Sequence, residues 1–439
     1  MGRASEKGKA VISLQTICAK HNAGDEAYVP GDGSPVPNTH IQDLKKGANK
    51  KMYEHLKYID TLMNEAVEKD SIAGGSVAVI HKGETVYKKH FGYSDREQGR
   101  KFEGGEFFRL FSLTKPITAT AAMLLLERGK IELRYPLKWF LPTFEDPQVL
   151  DEKGLRPADR DITLGDLLTM TSGISYPGGE YAAAKMGEIW GRQSDAYEKG
   201  GKQLSTRDFV LEMGKAPLAF TPGAKWEYGA SADVMGAVIE TVSGMKLSEF
   251  YKKEIFEPLG MTDTGFYIPE EKYSRLAKPY VQSPEGNVHY TNHDLCITDY
   301  KCPPAFESGG AGLVSTIDDY AKFVKMLANH GSLNGTRILG RKTVEFMSSD
   351  CLTDAQKNSI QWDSMIGQGY GNFMRVLHSP AAAGFNGTKG EYGWDGMLGC
   401  YFCIDPAEDL AFLYFVQQAY TGCTEFTRRL QNVVWASIE

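Results

Sequence analysis

The chain has 439 residues, 42% of them hydrophobic and 11% aromatic, a balance that fills a large core and excludes general disorder. Its 49 Lys and Arg against 56 Asp and Glu leave a formal charge of -7, so no sequence-wide basic field exists to attract nucleic acid or anionic lipid. No stretch approaches the roughly 18 apolar residues that a membrane-spanning helix needs.

Residues 1–50 include "NAGDEAYVPGDGSPVPNTH", which has no apolar periodicity, and are read as an N-terminal extension of uncertain order. The head "MGRASEKGKAVISLQTICAK" has a basic start and a short apolar patch but no cleavage site after it, so a soluble, cytoplasmic protein is expected. In "KMYEHLKYIDTLMNEAVEKD" the apolar residues Leu56, Ile59, Leu62, Met63, Ala66 and Val67 recur at the three-and-four spacing of an amphipathic helix. Next, "GGSVAVIHKGETVYKKHFGYSD" reads as two antiparallel strands joined at Lys82-Gly83-Glu84.

From about Thr114 to Gly260 the pattern is mostly helical. There "ITLGDLLTMTSG" is expected to close at Gly173 and "SADVMGAVIETVSG" at Gly244. Strands are expected only later. In "GGAGLVSTIDDYAKFVKMLANHG", Ser315 and Thr316 ahead of Asp318 and Asp319 suit a helix start. Three single strands are then expected in "YGNFMRVLH", "GMLGCYFCIDP" and "EDLAFLYFVQQ", before a last helix in "CTEFTRRLQNVVWASI".

Strands at both ends with helices between predict an α+β fold: one antiparallel β-sheet flanked by helices, with an inserted, mainly helical lobe. The expected division is an α/β lobe over residues 51–110 plus 300–439 and a helical lobe over residues 111–299.

Seven scattered cysteines predict reduced thiols, and Cys400 and Cys403 lie on a predicted strand, where positions three apart face opposite sides. His289 and His293 fall in a polar, turn-rich segment better read as a surface loop than as a chelating pair. No metal and no cofactor are expected.

The stretch "FRLFSLTKPITATAAMLLLERGKIEL" sets Ser112 and Lys115 one turn apart at the head of an apolar helix, with Pro116 tolerated in its first turn. A free lysine titrates near ~10.4, but burial and the positive end of a helix both disfavour the ammonium form. So placed, Lys115 becomes a proton acceptor for a nucleophilic Ser112, and the same dipole favours an oxyanion beside it. The competing reading is a helix cap followed by a snorkelling lysine. The same S-x-x-K spacing recurs at Ser243 and Lys246, but with Gly244 between them at an apparent helix stop, and is read as chance. No G-x-S-x-G elbow occurs; the nearest approach, "GGSVA" around Ser76, lies in a predicted strand.

Several blocks together resemble the penicillin-recognising serine hydrolases: class C β-lactamases, DD-peptidases and family VIII carboxylesterases. They are "FRLFSLTKPIT", "ITLGDLLTMTSGI", "FTPGAKWEYGASADVMGAVIETVSG", "IFEPLGMTDTGF" and "GGAGLVSTIDDYAKFVKML", and the likeness spans roughly residues 52 to 435. The resemblance implies that Ser112 is the acylated nucleophile, Lys115 its proton partner and Tyr228 the second-motif tyrosine. It leaves open which of Lys115 and Tyr228 is the base.

The departures narrow the chemistry. The second motif, "YGA", has Ala230 where the antibiotic- and peptide-processing members usually carry an asparagine. On the third-motif strand, "EYGWDGMLG", the usual cation is absent, and Trp394-Asp395-Gly396 resembles the W-x-G of family VIII esterases and related acyltransferases. An indole suits an uncharged acyl or alcohol group, and the charge of Asp395 is expected to repel an anionic substrate. The resemblance implies that the amides of Ser112 and Met397 would form the oxyanion hole, with Gly396 letting the strand approach. The expected function is cleavage of a small-molecule carboxylic ester through an acyl-enzyme. The alternatives are a β-lactamase or D-amino-acid peptidase, an acyltransferase, and a non-catalytic scaffold.

Overall fold

The computed structural model describes residues 53–438 apart from residues 285, 292–294 and 296–298. The N-terminal extension and His293 therefore lie outside the described residues. The first helix, α1, runs Lys57–Glu68, and its apolar stripe buries Ile59, Met63 and Ala66. Strands β1 (Gly74–His81) and β2 (Glu84–Asp95) form the expected hairpin, and β3 (Arg100–Lys101) extends it. The link is a two-residue turn with Lys82 at φ 52 and Gly83 at φ 79, left-handed at both positions as a tight hairpin requires.

The middle of the chain holds α2 (Thr114–Glu127), α3 (Leu164–Leu168), α4 (Tyr181–Glu198), α5 (Thr206–Met213) and α6 (Ser231–Ser243). Helix α6 stops on Gly244 at φ 70, as its sequence predicts. Helix α3 differs: a capping box between Thr163 and Asp166 starts it, but it ends after Leu168, with Met170 at φ 56. Gly173 at φ 80 thus serves the following loop rather than a helix end. A short hairpin of Gln148–Asp151 and Gly154–Pro157 also interrupts the helical stretch. Its residues carry little apolar pattern, and Val149 is held instead by a bridge to Leu218.

Helix α7 (Ile317–Ala328) starts on Thr316, whose hydroxyl accepts from the Asp319 amide at 3.1 Å. The tail supplies β4 (Gln368–Gly371), β5 (Met374–Leu377), β6 (Tyr392–Asp395), β7 (Tyr401–Asp405), β8 (Leu410–Val416) and the last helix, α8 (Glu425–Trp435). "YGNFMRVLH" is therefore two strands and not one, because Asn372 (φ 48) and Phe373 (φ 65) turn the chain between β4 and β5.

The central sheet is antiparallel in the order β4-β5-β6-β7-β8-β1-β2-β3. Strand β1 pairs with β8 from Gly75↔Val416 to His81↔Leu410, so the two ends of the chain meet in its middle. Its side chains alternate between two cores: Val77 and Val79 join α1 and α8 on one face, while Ala78 and Ile80 join the larger cluster containing α2, α6 and α7. Full burial of Ile59, Met63, Leu430 or Val434 contributes roughly 1.5–3 kcal/mol each, so the terminal helices are bound to the sheet by packing.

Candidate active site

Ser112 lies in a 3-10 turn, Phe111–Leu113, which leads directly into α2. The residue before it, Phe111, has φ 46, an uncommon left-handed state for a bulky side chain. Packing overrides that cost. The Phe111 ring is buried with Ile268 and Leu398, the Leu110 amide donates to the Leu313 carbonyl at 2.9 Å, and the Tyr320 hydroxyl donates to the Leu113 carbonyl at 2.9 Å. The hydroxyl-bearing turn is therefore gripped on both sides of Ser112.

One turn on, Lys115 is fully buried. Its Nζ stands 3.0 Å from Ser112 Oγ, 3.2 Å from the Tyr176 hydroxyl and 2.8 Å from the Gly310 carbonyl. Burial lowers its pKa to about 7, against the opposing pull of Asp233 and Asp395. The snorkelling alternative does not hold, because a snorkelling amine reaches water and this one does not. The second S-x-x-K pair is unlike it: Lys246 is exposed, and Ser243 Oγ accepts from the Met245 amide.

Tyr228 closes the group. Its hydroxyl accepts from Trp394 Nε1 at 3.2 Å, Lys115 Nζ lies 4.6 Å from its ring centroid, and Ser112 is near enough to act on its titration. Burial holds the phenol pKa well above its ordinary value, outweighing Ser112 and the indole N–H of Trp394, which pull it down. Aromatic neighbours fix the ring, with centroids at 4.9 Å for Trp362, 5.5 Å for Trp394 and 5.8 Å for Tyr176.

Strand β6 brings Trp394 and Asp395 to the same place, and the turn after it carries Gly396 and Met397. A Cβ on Gly396 would stand 2.2 Å from the Leu110 carbonyl oxygen, so only glycine lets this strand end lie against the Ser112 turn. The Gly396 carbonyl accepts from the Gly399 amide at 2.9 Å. That bond fixes the peptide plane from which the Met397 N–H projects in the opposite direction. Among the described residues no acceptor takes that N–H, which leaves it available to an added oxyanion.

Three partners of this group carried no signal in the sequence. Tyr176 follows α3 in an irregular segment, and Gly310 sits in a glycine-rich loop. Asp233, fully buried in the first turn of α6, accepts from the Ser308 hydroxyl and the Gly310 amide, and burial raises its pKa. A fourth partner, Arg375 on β5, corrects the expectation for Asp395. The two form an ion pair, so the carboxylate is neutralised locally instead of presenting a free negative charge to a ligand.

Cys400 and Cys403 are buried free thiols, and among the described residues no group of three or more His, Cys, Asp or Glu side chains is placed to hold a metal. No helix among the described residues is long and apolar enough to cross a membrane.

The sequence model of the Beta-lactamase family matches residues 59–433. Esterase EstB of Burkholderia gladioli is 31% identical over 402 residues, which cover 86% of this chain and 94% of that protein. Lovastatin esterase of Penicillium rubens is 34% identical over 352 residues, covering 77% of this chain and 82% of the relative. Among solved structures, EstCE1, a hydrolase with promiscuous acyltransferase activity, superposes with a TM-score of 0.72 at 24% identity over 88% of this chain and 99% of its own. The fold, the nucleophile-block spacing and these relatives agree, and the chain belongs to the Beta-lactamase family.

Proposed function

We propose that the protein is a serine hydrolase that cleaves small carboxylic esters through an acyl-enzyme on Ser112. The observation that carries this reading is the 3.0 Å contact between Ser112 Oγ and the amine of a fully buried Lys115. In the first step the Ser112 hydroxyl passes its proton to the neutral amine as Oγ bonds to the ester carbonyl carbon. The carbonyl oxygen becomes an oxyanion held by the Ser112 and Met397 amides. Tyr228, protonated through the working range, gives its proton to the departing alkoxide and is resupplied by the Lys115 ammonium as the C–O bond breaks. Water then repeats the sequence on the acyl-enzyme, and the acid leaves with Ser112 restored.

Esters are favoured over lactams or D-amino-acid peptides by the third-motif strand. Trp394 stands where a cation is usual, and the nearby guanidinium of Arg375 is buried and paired with Asp395, so this strand offers no unpaired cation for a ligand carboxylate. Ala230, likewise, carries no amide for a peptide-like ligand. The esterase relatives point the same way. Intact-mass measurement after fluorophosphonate treatment, with peptide mapping, is expected to find the adduct on Ser112. A nitrophenyl butyrate ester is expected to turn over faster than a chromogenic cephalosporin, and the reverse order would replace the esterase reading with a β-lactamase one. Added alcohols, monitored for ester product, test whether an acceptor other than water takes the acyl group.

A further inference from the structure

We propose that Arg375 is a positioning residue for this chemistry: lodged beside Trp394 and paired with Asp395, it holds the indole so that its N–H stays on the Tyr228 oxygen. The inference deepens the ester reading and rests on it. Arg375 is 5% exposed, and its contacts are Asp395, Trp394 and Tyr401 rather than Ser112, Lys115 or Tyr228. A buried guanidinium is costly unless its charge and its flat faces are satisfied. Here it is ion-paired to Asp395, its carbon Cζ lies 4.9 Å from the Trp394 ring centroid and 5.3 Å from that of Tyr401, and its Nε has no partner. Planarity matters in this slot, because a guanidinium stacks on aromatic faces in a way an ammonium does not.

The surroundings are shaped for the pair. A Cβ on Gly422 would stand 1.9 Å from Asp395 Oδ2, so a glycine makes room for the carboxylate. Asp395 is the chain neighbour of Trp394 on β6, and Arg375 therefore grips both the ring and the backbone that carries it. The indole then donates to the Tyr228 hydroxyl at 3.2 Å. With that oxygen accepting a hydrogen bond from the indole N–H, the phenol's own O–H is left to point elsewhere, and Ser112 is the other side chain that acts on its titration. Arg375 thereby acts on the reacting groups through one intervening ring.

The test is a double-mutant cycle read by the second-order rate of Ser112 labelling with a fluorophosphonate, on the full chain. The variants are Arg375→Met with Asp395→Asn, which removes the pair without stranding a charge, Trp394→Phe, which removes the indole N–H, and the three changes combined. The paired change is expected to slow labelling about tenfold in the native background and less than about twofold once Trp394 is Phe. Equal slowing in both backgrounds, or no slowing, overturns the proposal. Should the paired variant fail to fold, Arg375→Lys keeps the charge and loses the flat stack; it is expected to label several-fold more slowly with a melting temperature close to native, and a native labelling rate overturns the proposal. The two readings fail separately. A Ser112 that labels but turns over no ester removes the ester assignment and leaves the cycle readable, whereas an unlabelled native Ser112 overturns both.

Discussion

The carbonyl of Gly310 stands 2.8 Å from the amine of Lys115, and a carbonyl only accepts. One N–H is therefore committed. A neutral amine has one more N–H and a lone pair, and the two remaining neighbours are the hydroxyls of Tyr176 at 3.2 Å and Ser112 at 3.0 Å. Neutral Lys115 can thus donate to one of these hydroxyls and accept from the other, and acceptance from Ser112 is the arrangement acylation needs, whereas the ammonium has three N–H groups and nothing with which to accept. The charge state sets the direction in which the Ser112 proton runs. With Lys115 lowered to about 7 and the Tyr228 phenol raised, the proposed mechanism takes the amine as the acceptor near neutral pH. We predict that kcat/KM for a nitrophenyl ester rises about tenfold per pH unit on the acid side and levels above about pH 7. A rate independent of pH through that region would remove Lys115 as the base.

Tyr176 matters to the same balance. Its oxygen is one of three groups that receive the Lys115 ammonium, and a buried ammonium losing an acceptor becomes harder to form. Tyr176→Phe is therefore expected to move the acid limb to lower pH and to reduce kcat by about tenfold, with the fold intact because the ring still packs on Trp190 and Tyr228. An acid limb that stays in place or moves up contradicts this assignment of Tyr176.

The sequence carried the local part of this arrangement and little of the distant part. The three-and-four spacing of α1, the β1–β2 turn and the Ser112–Lys115 spacing are readable because each is decided within a few residues by periodicity, turn chemistry or helix geometry. Tyr176 and Gly310 reach Lys115 across 61 and 195 residues, and no local pattern marks one tyrosine or one glycine as the contact. Arg375 was invisible for the same reason: its burial follows from the pairing of β5 with β6, where it faces Gly393. The turn at Asn372 and Phe373 depends on tertiary contacts as well, with the Asn372 amide donating to the Phe346 and Met347 carbonyls and the Phe373 amide to Leu168.

Gly396 offers a test of the proposed oxyanion site that leaves every titrating group in place. A methyl there meets the Leu110 carbonyl at 2.2 Å, with backbone on both sides and no flexible side chain to yield. Gly396→Ala must widen the gap between the end of β6 and the Ser112 turn, moving the Met397 amide away from Ser112. Loss of one such donor costs about 10²–10³ in kcat. The expected outcome is a fall of that size with KM changed little and labelling of Ser112 slowed in proportion. Near-native kcat would mean that the Met397 amide does not hold the oxyanion.

Lys115 also ties stability to pH, and the sign follows from its shift. Its folded pKa, about 7, lies below the ordinary 10.5, so between those values the unfolded chain binds more protons and stability from this group rises with pH. The penalty for burying the amine is full below about pH 7, where a shift of this size corresponds to roughly 5 kcal/mol, and it fades toward the ordinary lysine value. Lys115→Met removes the penalty, fills similar volume with apolar atoms, and forfeits the hydrogen bond to the Gly310 carbonyl, which costs about 1–3 kcal/mol. The inactive variant is therefore expected to melt several degrees above the native protein at about pH 6, with the advantage shrinking, or reversing, as the pH is raised toward about 10. Melting temperatures measured across that range decide it: an advantage that grows with pH would show that the native amine is charged in the folded protein, and the acid–base assignment to Lys115 would fall with it.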